Sequence, residues 1–600
     1  MNGEKMPTLQ FKGKAVIWNH HMSVPYHTVE SVPGLNSSTE NPNRHLIVEG
    51  DNLVTLKALL PEFGNSVKCV YIDPPYNTGK EHWIYNDAAN SPLIQEWLGK
   101  EISQEDLTKH DKWLCMMTPR LKLLYEFLTE DGAIVVHIDE HEISSLRQLL
   151  IEVFGEENEI GTIVWDKGNP KGDSTTIAVE HEYIVVFAKN KEMFKAKNNL
   201  TRPKRNAQKM LDKAKKLFSL LGKVELPDDL KDIAKKYNLP QESIEAFKEM
   251  KTLECINEQF DSWLKKQNFS NGEKAYKFID EQGRVYRGVS MAWPNKKKAP
   301  DEYFIPLKHP VTGKACPVPE RGWRNPPGTM NELLQKGLIL FGEDEKKQPE
   351  RKYLLEENMD ENIPSILFFG GSDDTLFKKL DIEFDNPKPF QFAKELLSYF
   401  TDENSIILDS YAGSGTTAHA VMELNREDGG NRRYVLVQMA ENSEKDLEKN
   451  ICKDITRERV ARTIDMFEYS EGFNYLRVGQ ALDAETLLNG ELPSYGTFAQ
   501  YVYYLATGEH IADSAIDEQA HFVGTNNNQD IYLIYSDNIS MLQSLALNFD
   551  KAEKMRIHSG EKRLTVYAPA CFLDDEYLQE KNIEFVSIPY SLFSKREGMY

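Results

Sequence analysis

Val67-Lys68-Cys69-Val70-Tyr71-Ile72-Asp73-Pro74-Pro75-Tyr76 is the stretch that decides the fold. Its first six residues form an apolar run of the kind buried on both faces of a parallel sheet. A carboxylate, two prolines and an aromatic then stand just past the strand's C-terminal end, where open α/β sheets bind ligands. Proline fixes φ and carries no N–H, so the loop is stiff. Asp73 and the Pro74 carbonyl accept hydrogen bonds, and Tyr76 offers a flat face. A planar group bearing an exocyclic NH2 fits that set, and a nucleobase flipped out of a duplex is one such group.

Outward from this loop the chain alternates strands and helices. A strand from His45 leads through Gly50-Asp51-Asn52 into a helix over Leu53–Leu60. A Leu-rich helix over Trp113–Leu128 is predicted to stop at Asp131-Gly132 and feed a strand over Ala133–Ile138. A helix near Ser144–Phe154 and strands at Gly161–Trp165 and Glu182–Phe187 follow. This pattern predicts a doubly wound, mostly parallel α/β sheet. It breaks near residue 190 and resumes near 361, with a helix over Phe390–Phe400 and strands at Ser405–Asp409 and Tyr434–Val437. The expected organisation is an N-terminal arm (1–45), a catalytic part (46–190), an insert (191–360), a second α/β part (361–475) and a small C-terminal α/β domain (476–600).

Composition bounds the reading. Six hundred residues exceed one core and suggest three or more domains. The N-terminal stretch MNGEKMPTLQFKGK has no apolar segment and predicts no signal peptide. No apolar run reaches bilayer length, which predicts no membrane partner. Six scattered cysteines without a CxxC pair predict free thiols in a reducing cytoplasm and no metal site. Net charge is −22, yet residues 191–220 hold ten Lys/Arg against two Asp/Glu, and 471–600 hold nine against nineteen. The basic stretch reads either as a solvated amphipathic helix or as a nucleic-acid footprint.

A second motif runs from Asp409 through Tyr411-Ala412-Gly413-Ser414-Gly415 to Thr416-Thr417. A strand ends in Asp409, and the glycines let the backbone turn toward a helix N-terminus, offering bare peptide N–H groups to a ligand. It is not a Walker A loop, because no GK[ST] occurs in the chain. Asp73-Pro-Pro-Tyr76, followed 336 positions later by this turn, resembles the S-adenosylmethionine-dependent amino-methyltransferases of DNA. The order, with the insert between, resembles their β group, and the layout resembles the modification subunit of Type III restriction–modification systems. Gly50-Asp51-Asn52-Leu53, Thr78-Gly79, His181-Glu182-Tyr183 and Asn386-Pro387-Lys388-Pro389 add to the likeness.

The resemblance implies a Rossmann-like, permuted methyltransferase that binds S-adenosyl-L-methionine and methylates N6 of a flipped adenine in double-stranded DNA. Asp73, Pro74, Pro75 and Tyr76 would be catalytic. Asp409, Tyr411, Gly413 and Gly415 would cradle the methionine part of the cofactor, with Lys388 and Thr416 near its carboxylate. Asp51 would reach the adenine, and Gln438 would replace the family's acidic ribose ligand, with Glu441 three residues on. The insert would be the target-recognition domain, with Arg287, Lys296, Lys297, Lys298, Arg321 and Arg324 as candidate DNA contacts. Implied partners are a second copy of the chain and a helicase–endonuclease subunit, in a prokaryotic cytoplasm.

Alternatives stay open at this point. Methylation at cytosine carbon 5 needs a cysteine nucleophile, typically in a Pro-Cys pair, and none occurs. N4 of cytosine, RNA, a protein amide, or DNA recognition without methyl transfer remain. Asp51 reads equally as a helix N-cap. Trp113 and Trp165 read as core, and His137 and His181 as satisfied core histidines. Trp293 and Trp323 read either as packing or as contact residues.

Overall fold

The computed structural model describes residues 8–40, 45–78, 108–168, 177–198, 200–226, 230, 233, 236–237, 240, 248–384, 387–440, 450–481, 492–507, 509, 511–526, 529–542 and 544–588. Of the stretches singled out above, Gly79, Asn386 and Glu441 lie outside them. The chain forms two compact units, Met1–Asn199 with Pro364–Tyr600, and Leu200–Ile363.

The first unit is built on a ten-stranded sheet. Its strands are β1 (His27–Ser31), β2 (Leu46–Glu49), β3 (Val67–Ile72), β4 (Leu128–Ile138), β5 (Glu159–Asp166), β6 (His181–Ala188), β7 (Ile366–Phe368), β8 (Ile406–Asp409), β9 (Arg433–Gln438) and β10 (Asn474–Ala481). The order across the sheet is β1-β10-β2-β9-β8-β3-β4-β6-β5-β7. From β10 to β4 every pairing is parallel. β3 is buried along its whole length, as an apolar run in a parallel sheet must be. Helices α1 (Asn52–Phe63), α2 (Lys109–Phe127) and α3 (Ile143–Phe154) share one core, with Leu56, Leu60, Leu121 and Leu150 among the buried side chains. Helices α4 (Phe390–Phe400) and α5 (Thr416–Asp428) flank β8 in sequence.

Four expectations differ. The N-terminal stretch is not all loop: β1 pairs antiparallel with β10, which supplies the hydrogen-bond partner that its weak local pattern could not announce. β10 straddles the expected boundary at 476, so the main sheet continues to Ala481. Helix α2 ends at Phe127, and β4 starts at Leu128 rather than Ala133. Gly132 therefore marks an irregularity in the β3–β4 ladder, where a Cβ would stand 3.0 Å from the Lys68 carbonyl. β5 and β6 pair antiparallel, so this edge of the sheet departs from the parallel pattern of its centre.

The helix Lys191–Lys197 also belongs to the first unit, where Phe194 is buried beside Phe400. Past β10, a four-stranded sheet of Phe522–Asn526, Gln529–Leu533, Arg563–Ala568 and Ile583–Ser587 has one antiparallel and two parallel pairings. The helix Tyr495–Thr507 joins it to the main body: Tyr501 packs on Tyr26, and the Tyr504 hydroxyl donates to Glu126 at 3.1 Å. All six cysteines are free, and no helix among the described residues is long and apolar enough to cross a membrane.

The Leu200–Ile363 unit has its own sheet of Phe278–Ile279, Val285–Ser290, Glu350–Leu354 and Ile339–Leu340. The helices Ala207–Phe218 and Leu253–Lys265 bury Met210, Leu217, Ile256 and Phe260 with Val285. The Lys-rich helix therefore has a genuine apolar face, as the solvated-helix reading required.

Candidate active site

β3 and β8 are neighbours, with Leu408 opposite Val70. Asp409 and Asp73 thus leave the sheet at the same edge, at the C-terminal ends of adjacent parallel strands. Residues more than three hundred positions apart in sequence meet there because the sheet order inserts β8 between β9 and β3.

The first loop is fixed from several sides. The Trp113 indole N–H donates to the Pro75 carbonyl at 2.7 Å, so this core tryptophan also holds the Asp73 loop. Asn77 sits at φ 58°, a left-handed position that Asn tolerates. Its amide donates to the Lys109 carbonyl at 3.0 Å and to the buried Glu142 carboxylate. The Tyr76 hydroxyl donates to Glu182 Oε2 at 3.2 Å and accepts from Lys388 Nζ at 2.7 Å. Lys388 Nζ lies 2.8 Å from Glu182 Oε2 and 3.3 Å from Asp73 Oδ2, with its ammonium over the Tyr76 ring. Burial and the neighbouring Asp73 and Glu182 charges push the Tyr76 hydroxyl far above its usual range, so it stays a neutral donor. Burial would lower the Lys388 pKa, but Asp73 and Glu182 outweigh it and hold the ammonium charged.

Lys388 therefore joins the Asp73 loop through its side chain. It meets the glycine turn through its backbone, its carbonyl lying 3.4 Å from Thr416 Oγ1.

The second loop is almost wholly buried. Asp409 is 4% exposed; its carboxylate accepts from the Tyr411 N–H at 3.0 Å and the Thr417 hydroxyl at 2.5 Å. Burial raises its pKa to about 7, against those two bonds, and the Asp73 charge adds to the rise. The glycines serve shape here. The Gly413 N–H donates to Gln438 Oε1 at 2.8 Å, and the Gly415 N–H to the Ala412 carbonyl at 2.7 Å. Neither N–H is bare, contrary to the sequence expectation, because Gln438 and the turn itself already satisfy them. Gly415 has φ +81°, and a Cβ there would press on Val460 at 3.0 Å. Gly415→Val is expected to distort this turn, which calorimetric melting of the full chain would read as a lower Tm.

A π-helical turn over Cys452–Arg457 presses on the same loop, the Thr456 hydroxyl donating to the Gly413 carbonyl at 2.6 Å. The fully buried Arg459 donates to Thr416 Oγ1 at 2.9 Å and pairs with Asp373 at 3.2 Å. Tyr411 is buried with its hydroxyl against the Met116 and Met117 sulfurs.

Asp51 caps helix α1, accepting from the N–H groups of Leu53 and Val54 at 3.0 and 3.1 Å. Arg120, buried, reaches Asp51 and Asn52, and the Asn52 amide lies 3.5 Å from the Ser410 carbonyl. The Gly50-Asp51-Asn52 loop is thereby tied to the glycine turn.

His137 is buried with Nε2 against the Tyr71 hydroxyl at 2.8 Å and Nδ1 without a hydrogen-bond partner among the described residues, and the half-buried His181 meets the Tyr183 hydroxyl at 2.9 Å, so neither is the satisfied core histidine expected. Trp165 is core, donating to the Phe369 carbonyl.

Within the Leu200–Ile363 unit, two of the stretches picked from sequence lie side by side. Trp293 donates to the Gly322 carbonyl and Ala299 to the Arg321 carbonyl, both at 2.9 Å. Exposed Lys296, Lys297, Lys298, Arg321 and Arg324 therefore share one loop pair, pinned by buried Trp323. Trp293 stacks edge-on against Tyr303. Arg287 stands elsewhere, on the sheet. Its guanidinium lies over Tyr276 at 5.0 Å and Tyr353 at 5.9 Å, and Arg351 lies over Tyr353 at 4.6 Å. This Tyr–Arg ladder was invisible in sequence, because its members meet only through the register of Val285–Ser290 with Glu350–Leu354.

Comparison with known proteins agrees with this geometry. The Type III restriction-modification enzyme EcoP15I Mod subunit of Escherichia coli is 33% identical over 450 residues, 71% of this chain and 64% of that protein. The StyLTI Mod subunit of Salmonella typhimurium is 27% identical over 71% of this chain and 58% of its own length. The type II methyltransferase M.KpnI of Klebsiella pneumoniae is 27% identical over 65% and 79%. The chain thus spans about three-fifths of the length of these two Mod subunits. A family model described as DNA methylase matches residues 67–461, from the first residue of β3 into helix α6 (Glu458–Phe467) behind the glycine turn. That span takes in both strand-end loops, Lys388 and Glu182, and the chain belongs to this family of DNA methylases.

Proposed function

We propose that the chain transfers a methyl group from S-adenosyl-L-methionine to N6 of an adenine flipped out of double-stranded DNA, as the modification subunit of a Type III restriction–modification system. The observation that carries this reading is the meeting of the Asp73 loop and the Asp409 turn at one edge of adjacent parallel strands. The residues of the turn suit the cofactor. Ser410 Oγ is buried without a hydrogen-bond partner among the described residues, next to the buried Asp409 carboxylate. Asp409, Ser410, Tyr411, Thr416, Gln438 and Asp51 would hold it. When bound, it supplies a methyl group activated on a positively charged sulfur.

Asp73 and the Pro74 carbonyl accept the two hydrogens of the target amine and so aim its lone pair. Tyr76 stacks on the base. With the cofactor held beside it, Asp73 would be placed to take the proton that the nitrogen gives up once its lone pair is methylated. Orientation and charge complementarity supply the rate, and no covalent enzyme intermediate is needed. Purified protein with labelled cofactor should methylate duplex DNA, and digestion with mass spectrometry should find N6-methyladenine. N4-methylcytosine would overturn the base assignment.

The Leu200–Ile363 unit reads the duplex. The Lys296–Arg324 loop pair suits phosphates, and the stacked Arg287 and Arg351 guanidiniums suit a paired acceptor such as a guanine edge. Changing Lys296, Lys297 and Lys298 together to Ala should lower the slope of log affinity against log salt by about 2 to 3, with kcat at saturating DNA retained. Binding titrations across salt concentrations measure it. A homodimer, a helicase–endonuclease partner and a prokaryotic cytoplasm complete the proposal; of these, the endonuclease partner draws support from relatives named as Mod subunits of Type III restriction-modification enzymes.

A further inference from the structure

Glu182 has no part in the roles given so far, yet it touches the centre of the site. It lies on β6, its side chain 13% exposed. Oε2 meets Lys388 Nζ at 2.8 Å and accepts from the Tyr76 hydroxyl at 3.2 Å. Oε1 accepts from Lys167 Nζ at 2.6 Å. Lys388 in turn reaches Asp73 at 3.3 Å, and its carbonyl lies against Thr416 of the glycine turn. One carboxylate therefore touches the stacking ring and the ammonium beside the amine acceptor, one residue's length from the cofactor turn.

Burial opposes the Glu182 charge, but the Lys388 and Lys167 ammoniums hold its carboxyl down to about 2. Such a group stays ionised across neutral pH and is too weak a base to carry the reaction's proton. It acts as a fixed negative charge. The cluster then sums to zero: Asp73 and Glu182 against Lys388 and Lys167. Without Glu182 the sum is +1, and Lys388 has Asp73 as its remaining anion among the described residues. Both consequences work against a methyl donor whose sulfur is cationic.

We propose that Glu182 is a positioning residue that shares Lys388 with Asp73 and Tyr76 and sets the site's charge in favour of a sulfonium donor over its neutral thioether product. This rests on the cofactor reading above. It separates charge from packing, because Gln has nearly the shape of Glu and keeps an acceptor for Tyr76 and for one lysine.

The test measures the affinity of the full chain for S-adenosylmethionine, cationic at sulfur, and for S-adenosylhomocysteine, neutral there, by titration calorimetry. The ratio of the two affinities is the readout. Glu182→Gln should lower the preference for the cationic ligand about tenfold, and Glu182→Asp should restore much of it. Lys167→Gln, which changes a half-exposed side chain and shifts the cluster to −1, should move the ratio the opposite way. A structural role would weaken both ligands alike. An unchanged ratio in Glu182→Gln, or a shift of the same sign in Lys167→Gln, overturns the proposal. Wild-type protein that binds neither ligand overturns the cofactor reading instead.

Discussion

Replacing Asp73 with alanine is expected to cut kcat for methyl transfer by at least about a thousandfold, with duplex affinity changed less than about threefold. Asp73 lies past the end of β3, partly exposed, and its ionic partner among the described residues is Lys388. Removing it leaves Lys388 bound to Glu182 and Tyr76, so the loop keeps its other ties through Trp113, Asn77 and Glu142. What disappears, on the proposed function, is the charged acceptor for the amine, which would matter most as positive charge develops on nitrogen. Asp73→Asn should fall between, since it offers one acceptor and an NH2 that opposes the amine. Tyr76→Ala should act on a different step, the capture of the flipped base. A mismatch opposite the target, which lowers the cost of flipping, should partly rescue Tyr76→Ala and should not rescue Asp73→Ala. Single-turnover rates on matched and mismatched duplexes decide this. Asp73→Ala activity within tenfold of wild type would defeat the assigned role.

The two strand-end loops were legible because each follows an apolar run with a carboxylate at its end, a local pattern. Asp51 reads from sequence either as a helix cap or as a cofactor ligand, and the structure shows the cap. Other parts of the site were not local. Lys388 was placed with the cofactor carboxylate by resemblance, yet its ammonium partners are Tyr76, 312 positions away, and Glu182, 206 positions away. No periodicity reports a charge cluster assembled from three strand ends and a loop. Gln438 is a ribose ligand only by resemblance, standing where the family has an acidic residue; its amide oxygen holds the Gly413 N–H. A glycine turn looks open in sequence because glycine has no side chain, and only the folded backbone shows which N–H groups are already bonded. The early start of β4, at Leu128, escapes the sequence because Asp131-Gly132 has the composition of a helix stop, whereas here it bends a strand. Pairing partners also decided β1, whose residues carry too little alternation to declare a strand without β10 beside them.

Asp409→Asn is expected to make the ligand-free protein more stable above pH 7 and to weaken cofactor binding. The wild-type carboxyl is 4% exposed, and burial raises its pKa from 3.8 to about 7. A folded-state pKa above the unfolded value means the folded form binds the proton more tightly. The associated stability is therefore full below pH 3.8 and lost as pH rises through about 7. A shift of that size corresponds to roughly 4 kcal/mol between the two limits, at about 1.4 kcal/mol per unit. Asn keeps an oxygen to accept the Tyr411 N–H, and its NH2 can donate to the Thr417 hydroxyl, which rotates to accept. The variant should therefore match wild type near pH 4 and melt at higher temperature by pH 8, with the gap opening between. Calorimetric melting of the full chain across pH 4 to 8.5 measures it. The cost of holding a buried carboxylate makes sense only if something cationic meets it. The ammonium of the cofactor's methionine part would do so, lowering the Asp409 pKa and releasing a proton on binding near pH 7. Cofactor affinity should therefore fall tenfold or more in Asp409→Asn, and the proton release, read from the dependence of binding heat on buffer ionisation, should vanish with it. A variant that gains no stability at pH 8 would show that Asp409 is already neutral or solvated in the folded chain, and the charge argument for the turn would fail.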